Sequence, residues 1–325
     1  MQKKMGGLDM NNGRRDFLKS VLGIGAGLLL PKIAKPNTAN NLHEELGLKK
    51  ITILHTNDTH SQIEPLPKNH YRYPGQGGYS RRAYLINQIK RDNDKVLIFD
   101  SGDLYQGTPY FNIYKGKLEI EYLNKMYYTA ITIGNHEFDL GLNVLGENLL
   151  QANFDIISSN YVFTNDPILS KIVKPYKIYN IDKLKIGVFG LGIEPTGLID
   201  KNLWGKTIYK DPMETAAKMA LLLKKEYKCN LVICLSHLGY KGSEGRIGDI
   251  EIAKSSRNID IILGGHSHTL LSKPVYISNR EKKPVIITQN AYAGVQMTQL
   301  DCYFNSFGSF LFAEEHNKKI FYKNV

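Results

Sequence analysis

The stretch Ile259-Asp260-Ile261-Ile262-Leu263-Gly264-Gly265-His266-Ser267-His268 decides how the rest of the chain is read. Its first five residues read as a buried strand, and the glycines that follow allow a sharp turn. Both imidazoles can then project from the strand's end into a shared cavity. Two histidines in a polar loop are commonly only solvated, so the pair gains its meaning from its company. Four more polar clusters stand where apolar runs stop: Asp58-Thr59-His60, Gly102-Asp103, Gly134-Asn135-His136-Glu137 and Ser236-His237.

Working outward, each cluster follows a predicted strand. Ile51–Leu54 leads to Asp58 and His60, and Val96–Phe99 to Asp100-Ser101-Gly102-Asp103. Ala130–Ile133 leads to Asn135, and Leu231–Leu235 to His237. Residues 61–78, rich in Pro and Gly, form an irregular segment suited to an active-site wall. Helices are predicted over Ser80–Arg91, Leu118–Met126, Asn143–Ala152 and Pro212–Tyr227, the last with Asp211 as cap and Pro212 in its first turn. A strand over Ile156–Ser159 and a hairpin of Tyr176–Ile181 with Leu184–Leu191 around Asp182-Lys183 lie between them. Val285–Thr288, Gln296–Tyr303 and Phe310–Glu314 read as closing strands. Strands alternating with helices, then adjacent strands, argue an α/β domain with mixed sheets.

At 325 residues and 42% hydrophobic, the chain can bury a large core. Of its formal charge of +11, +5 falls in residues 1–39, which carry seven Lys/Arg against Asp9 and Asp16. The remaining lysines are scattered without a basic helix or aromatic-basic stripe, so no nucleic-acid partner is expected. Arg14-Arg15-Asp16-Phe17-Leu18-Lys19 followed by the weakly apolar Ser20–Leu30 resembles a twin-arginine export signal. Residues 1–39 are therefore read as export signal and linker, and residues 50–325 as the catalytic domain. That places the protein in the periplasm. No stable membrane span is expected after signal removal, because the apolar run is shorter than the ~20 residues a bilayer needs; the chain stays tethered if the signal is not cleaved. Three cysteines give no disulfide framework; Cys234 reads as a buried hydrophobe, and Cys229 and Cys302 are left open.

The clusters together offer two aspartates, an asparagine and four histidines, His60, His237, His266 and His268, with His136 beside them. Divalent metals take carboxylate and amide oxygens together with neutral imidazoles. One ion needs three or four ligands, so the set is too large for a mononuclear site. Two ions about 3.5–4 Å apart, sharing a carboxylate, would use it and clamp the oxygens of a phosphoryl group.

The clusters resemble those of the calcineurin-like metallophosphoesterases, and more closely those of the amino-terminal catalytic domain of the bacterial 5′-nucleotidase family. Further matching stretches are His55-Thr56-Asn57-Asp58-Thr59-His60, Gly77-Gly78 before Arg81, Gly107-Thr108-Pro109, Gly134-Asn135-His136-Glu137-Phe138-Asp139 and Gln289-Asn290-Ala291-Tyr292-Ala293-Gly294. The resemblance implies an α-β-β-α four-layer sandwich of two mixed sheets with the clusters at one edge. It implies one metal held by Asp58, His60, Asp103 and His268, and a second held by Asn135, His237 and His266 with Asp103 bridging. The ions would be Mn, Zn or Fe. The residue matching His268 varies in the family. His136 matches a non-ligand histidine that stabilises charge on the phosphate or protonates the leaving oxygen, and Asp139 would orient its ring.

The implied activity is 5′-nucleotidase-like hydrolysis of nucleotides or related phosphomonoesters, by in-line attack of a metal-bound hydroxide. A 2′,3′-cyclic-nucleotide phosphodiesterase or nucleotide-sugar pyrophosphatase would use the same metals, and a non-catalytic binding subunit is the alternative of another class. Family members usually continue into a base-stacking carboxy-terminal domain, whereas this sequence stops some thirty residues after Gly294. Base recognition is then expected from a separate subunit resembling that domain, or from Tyr71, Tyr105 or Tyr292 lining a pocket of the chain's own. Tyr110 and Phe111 also flank the clusters and read as packing. Glu137 is read as structural, and His43 and His70 receive no role.

Overall fold

The computed structural model describes residues 46–243 and 245–321. The export-signal reading of residues 1–39 and His43 lie outside them. The first sheet has the order β15 (Phe310–Glu315), β14 (Gln296–Phe304), β1 (Lys49–Thr56), β2 (Val96–Asp100), β3 (Ala130–Ile131), β4 (Asp155–Ile157), β6 (Val173–Lys174). From β1 to β6 its strands are parallel, while β14 and β15 add antiparallel; β16 (Lys318–Lys319) also pairs β14. The second sheet has the order β12 (Val275–Ser278), β13 (Pro284–Thr288), β11 (Ile261–Gly264), β10 (Leu231–His237), β8 (Leu184–Gly192), β7 (Tyr176–Ile181). Its four middle strands are parallel and both edges antiparallel. A small pair, β5 (Tyr161–Val162) with β9 (Ile208–Tyr209), stands apart.

Side chains alternate across each strand, and this builds the layers. Ile51 and Ile53 of β1 join Leu97 and Phe99 of β2 in one cluster with Ile186, Val188, Ile233, Leu235 and Leu263 of the second sheet. Leu54 and Ile98, on the other face, pack with Ile86 and Ile89 of helix Tyr79–Asp92. Behind the second sheet, Phe189, Val232, Cys234 and Ile262 pack with Ala216, Met219 and Ile252 of its helices. The result is the expected helix–sheet–sheet–helix sandwich. Its central strands are buried on both faces, so they read as unbroken apolar runs.

Local chemistry sets the connections. Asp182 and Lys183 both take positive φ (47° and 68°), the backbone of a two-residue hairpin turn between β7 and β8. Asp211 accepts from the Glu214 N–H at 2.8 Å and caps the helix Pro212–Leu221. The stretch expected as one helix to Tyr227 is this α-helix continued by a π turn, Leu222–Glu226. Helix Pro109–Tyr114 and the edge strand β12 were not expected. The six-residue helix is too short for a periodic signal, and β12 has only four residues. The three cysteines are buried and free. Among the described residues no helix is long and apolar enough to cross a membrane.

The C-terminal ends of the parallel strands of both sheets meet at one edge. This is where open α/β sheets place their ligands. There the apolar interface between the sheets gives way to polar ties. His55 of β1 reaches Thr288 Oγ1 of β13 at 2.9 Å through Nδ1 and Ser101 Oγ at 3.1 Å through Nε2. Burial pushes its imidazole down to about 3, so it is a neutral cross-link between the sheets.

Candidate metal centre

The loops after β1, β2 and β3 carry Asp58, His60, Asp103, Asn135 and His136. The ends of β10 and β11 carry His237, His266 and His268. Several of these residues lie in the left-handed region: Asp58 (φ 49°), His60 (47°), Asp103 (56°), His266 (71°) and His268 (49°). Such backbone costs roughly 1–2 kcal/mol per residue and concentrates at functional sites. It is held by lacing between loops: Asp58 N–H donates to Gly102 O (2.9 Å), His60 N–H to Asp103 O (3.0 Å) and Ser61 N–H to Leu104 O (2.8 Å). Gly134 is obligatory here, because a Cβ would collide with the Asp103 carboxylate.

Most of the ligand candidates are aimed by a second bond. His60 Nδ1–H donates to Tyr105 O at 3.1 Å, leaving Nε2 to face Asp58 Oδ1 and Asp103 Oδ2, both at 3.9 Å. His237 Nδ1–H donates to Ser101 O at 2.6 Å. Asp58 accepts the His266 N–H on both oxygens at 3.0 Å and the Asn57 amide at 2.6 Å. His266 Nδ1 meets Asn135 Oδ1 at 2.9 Å, and His268 Nε2 lies 2.9 Å from His60 Nε2 and 3.5 Å from Asp58 Oδ1.

The donor set fits divalent ions. His237 is fully buried, yet its Nε2 makes no hydrogen bond although Asp103 Oδ2 is only 3.0 Å away. A buried imidazole nitrogen and a carboxylate oxygen converging at this distance suit a shared cation. Burial opposes protonation of His237, but Asp103 and then Asp58 outweigh it and push the imidazole up to about 10. Burial likewise works against the Asp103 carboxylate, and His237 overcomes it, holding the group below its ordinary range. Burial pushes His60 down and His266 down to about 4, which keeps both as neutral ligands. Three groups of donor atoms lie close enough to hold an ion: Asp58–His60–His268, His60–Asp103–His136 and Asp103–His237–His266.

His136 differs from its neighbours. Its Nδ1 pairs with Asp139 Oδ2 at 2.8 Å, and its backbone N–H donates to Asp103 Oδ1 at 2.8 Å. Burial lowers the ring's proton affinity, but the Asp139 hydrogen bond and the Asp103 charge raise it above the ordinary value. The side chain is partly exposed.

Glu137, read from the sequence as structural, is a clamp between two loops. Glu137 is buried, and its carboxylate accepts from Asp103 N–H (2.9 Å), Gly134 N–H (2.6 Å) and Leu104 N–H (2.7 Å). It clamps the loop after β2 to the loop after β3. Burial, then the Asp103 charge, push it up to about 7. Asp249, behind His237, went unnoticed: it is buried, bonds Ser236 Oγ at 2.5 Å through Oδ1, and leaves Oδ2 without a partner. A lone Asp opening a helix reads as a cap, so nothing local marks it. Tyr105 is buried in the core and stacked on Phe111. Tyr110 stacks on Tyr114, and Tyr292 stacks on His268 at 5.1 Å between centroids. His70, expected to be idle, lies in the same aromatic group as Tyr292.

Residues 51–270 match the calcineurin-like phosphoesterase family. The chain is 32% identical over 294 residues to the trifunctional nucleotide phosphoesterase protein YfkN of Bacillus subtilis, covering 81% of this chain and 18% of that protein. It is 37% identical over 232 residues to a snake venom 5′-nucleotidase from Naja atra, covering 69% of this chain and 42% of that one. The crystal structure of a 5′-nucleotidase precursor from Thermus thermophilus superposes with a TM-score of 0.77 at 30% identity, over 85% of this chain and 56% of that chain. The chain thus spans less than half the length of these two curated relatives. Sheet order, strand-end donors and matched domain agree: this chain belongs to the calcineurin-like phosphoesterase family.

Proposed function

We propose that the chain is a two-metal, 5′-nucleotidase-like enzyme that releases phosphate from nucleotides or related phosphomonoesters. The observation that carries this is the division of donors into two triads without a common member, Asp58–His60–His268 and Asp103–His237–His266. Asp103 also groups with His60, so its carboxylate is the natural bridge, and Asn135 completes the second set beside His266. Bound divalent ions would supply Lewis acidity at the phosphoryl oxygens and lower the pKa of water.

The chain's own residues do the rest. Asp58 and Asp103 bring buried negative charge, and His60, His237 and His266 are oriented by bonds already made. His136, with its proton affinity raised and its ring fixed by Asp139, holds a proton for the departing alkoxide and stabilises the charge that develops there. Mn, Zn and Fe all suit a donor set of this kind. Recognition of the leaving group falls either to a separate polypeptide docking beside the strand ends or to this chain's own tyrosines. The Arg14-Arg15 motif supports export to the periplasm by the twin-arginine route. Lysine at both positions would then hold the protein in the cytoplasm.

The test is phosphate release from AMP, glycerol 2-phosphate, 2′,3′-cyclic AMP and a nucleotide sugar after reconstitution with Mn or Zn. Release from the two monoesters, with kcat/KM at least about tenfold above the other substrates, is expected. Cleavage of only the cyclic ester or the nucleotide sugar overturns the monoester reading in favour of a diesterase or pyrophosphatase.

A further inference from the structure

A run of aromatic rings leads away from the metal centre and has no part in holding it. Tyr292 stacks on His268, at 5.1 Å and 22° between planes. Tyr73 meets Tyr292 edge-on at 5.8 Å, and His70 lies parallel to Tyr73 at 6.2 Å. Tyr71 lies over His70 at 4.9 Å with 82% of its surface in solvent. The path starts at a residue of the strand-end centre and ends in an open ring face.

The run is preorganised. His70 Nδ1 accepts the backbone N–H groups of Arg72 (3.3 Å) and Tyr73 (3.0 Å), so Nε2 carries the proton and donates to Tyr292 Oη at 3.2 Å. The segment beneath is fixed too. Leu66 packs with Ala291, Ala293 and Val295, Gly77 N–H donates to Ile320 O at 2.7 Å, and Arg81 donates to Gly75 O at 2.6 Å. From Pro65 to Gly78 the segment holds no carboxylate, so nothing there repels a phosphorylated ligand.

We infer that this run is a stacking shelf for the planar ring of the substrate's leaving group, a nucleobase, with the outer face of Tyr71 as its contact. This rests on the phosphomonoesterase reading and adds to it the recognition element that the centre itself lacks. The His268 side chain is 41% exposed and stacked on Tyr292, so the run begins where the strand-end centre opens to solvent. Stacking on an aromatic ring is tolerant of base identity, so the shelf favours a nucleotide over a sugar phosphate without selecting among bases.

The experiment compares AMP with ribose 5-phosphate, which lacks only the base, for the wild-type chain, Tyr71→Ala and Tyr71→Phe. Adenosine binding is measured alongside by calorimetry. Tyr71 is so exposed that its replacement leaves the fold intact. Tyr71→Ala should lower kcat/KM for AMP and weaken adenosine binding, each by about tenfold, with ribose 5-phosphate within about twofold and Tyr71→Phe near wild type. An equal loss on both substrates, or no loss on AMP, overturns the shelf. If the wild type hydrolyses neither substrate, the phosphomonoesterase reading fails instead. The shelf is then decided by adenosine alone: tenfold weaker binding to Tyr71→Ala supports it, and unchanged or absent binding overturns it.

Discussion

The two sheets bring different chemistry to one edge. The first supplies the oxygens, Asp58, Asp103 and Asn135, together with His60, from loops laced to each other by backbone bonds and by Glu137. The second supplies imidazoles alone, His237, His266 and His268. Two of them are aimed by groups of the first sheet: His237 by Ser101 O, and His266 by Asn135 and Asp58. His268 lacks such a tether and is 41% exposed. The contrast shows that metal binding belongs to the packed pair of sheets. The apolar interface that joins them also sets the ligand geometry, and the first sheet is the template.

Damage to the template should therefore cost more than damage to the outermost imidazole. Asp103→Ala is expected to abolish measurable turnover, since it removes the oxygen that both His60 and His237 approach and that the proposed two-metal reading shares between its ions. His268→Ala should keep activity within about tenfold, the expected cost of one exposed ligand among several. Steady-state kinetics on the two variants checks the order. Near-equal losses would mean that the sheets contribute alike.

Next in size is the separation of chemistry from assembly. His136→Ala should lower kcat by about 10²–10⁴ while metal content stays at the wild-type level. Loss of metal along with rate would make His136 a ligand of the His60–Asp103–His136 group instead.

Glu137→Gln tests the clamp. Its amide can replace only one carboxylate oxygen as acceptor, so at least one of the three buried N–H groups is left without a partner. That costs about 1–3 kcal/mol and should weaken metal affinity by about 10–100-fold. Metal titration and thermal unfolding of the metal-free protein both read it, and unchanged values in both would show that the loops hold their shape unaided.

The smallest expected effect lies behind the second sheet. Burial, opposed only in part by Ser236 and His237, pushes Asp249 up from 3.8 to about 8. The folded state therefore keeps this proton at pH values where the unfolded chain has lost it. Its stabilising contribution is full below about pH 4 and lost as pH rises towards 8. Asp249→Asn should flatten that part of the profile. A Tm difference between variant and wild type that stays constant from pH 5 to 9 would count against it.

Most of the fold was legible because its central strands are unbroken apolar runs, each ended by glycine or a polar cluster. The ligand candidates were legible for the same reason: a strand that stops at Gly264-Gly265 or Gly134 leaves its histidines and asparagine at the sheet edge. Glu137 was read as structural, but what it holds was not legible, since the three backbone N–H groups that converge on it come from two separate loops. Tyr71 and Tyr292 were both named for base recognition, but His70 and Tyr73, which join them in space, were not, because they lie over two hundred residues from Tyr292. Helix Pro109–Tyr114 was too short to show a period.

The most direct test of the paired-sheet centre is a count of divalent ions per chain. The full-length protein would be reconstituted with Mn or Zn, desalted and analysed by elemental mass spectrometry. Two separate triads, with the Asp103 carboxylate also grouped with His60 of the first, require close to two ions in the wild type and a loss of more than one in Asp103→Ala. A wild-type count near one, or a count that Asp103→Ala leaves unchanged, contradicts a shared two-metal centre.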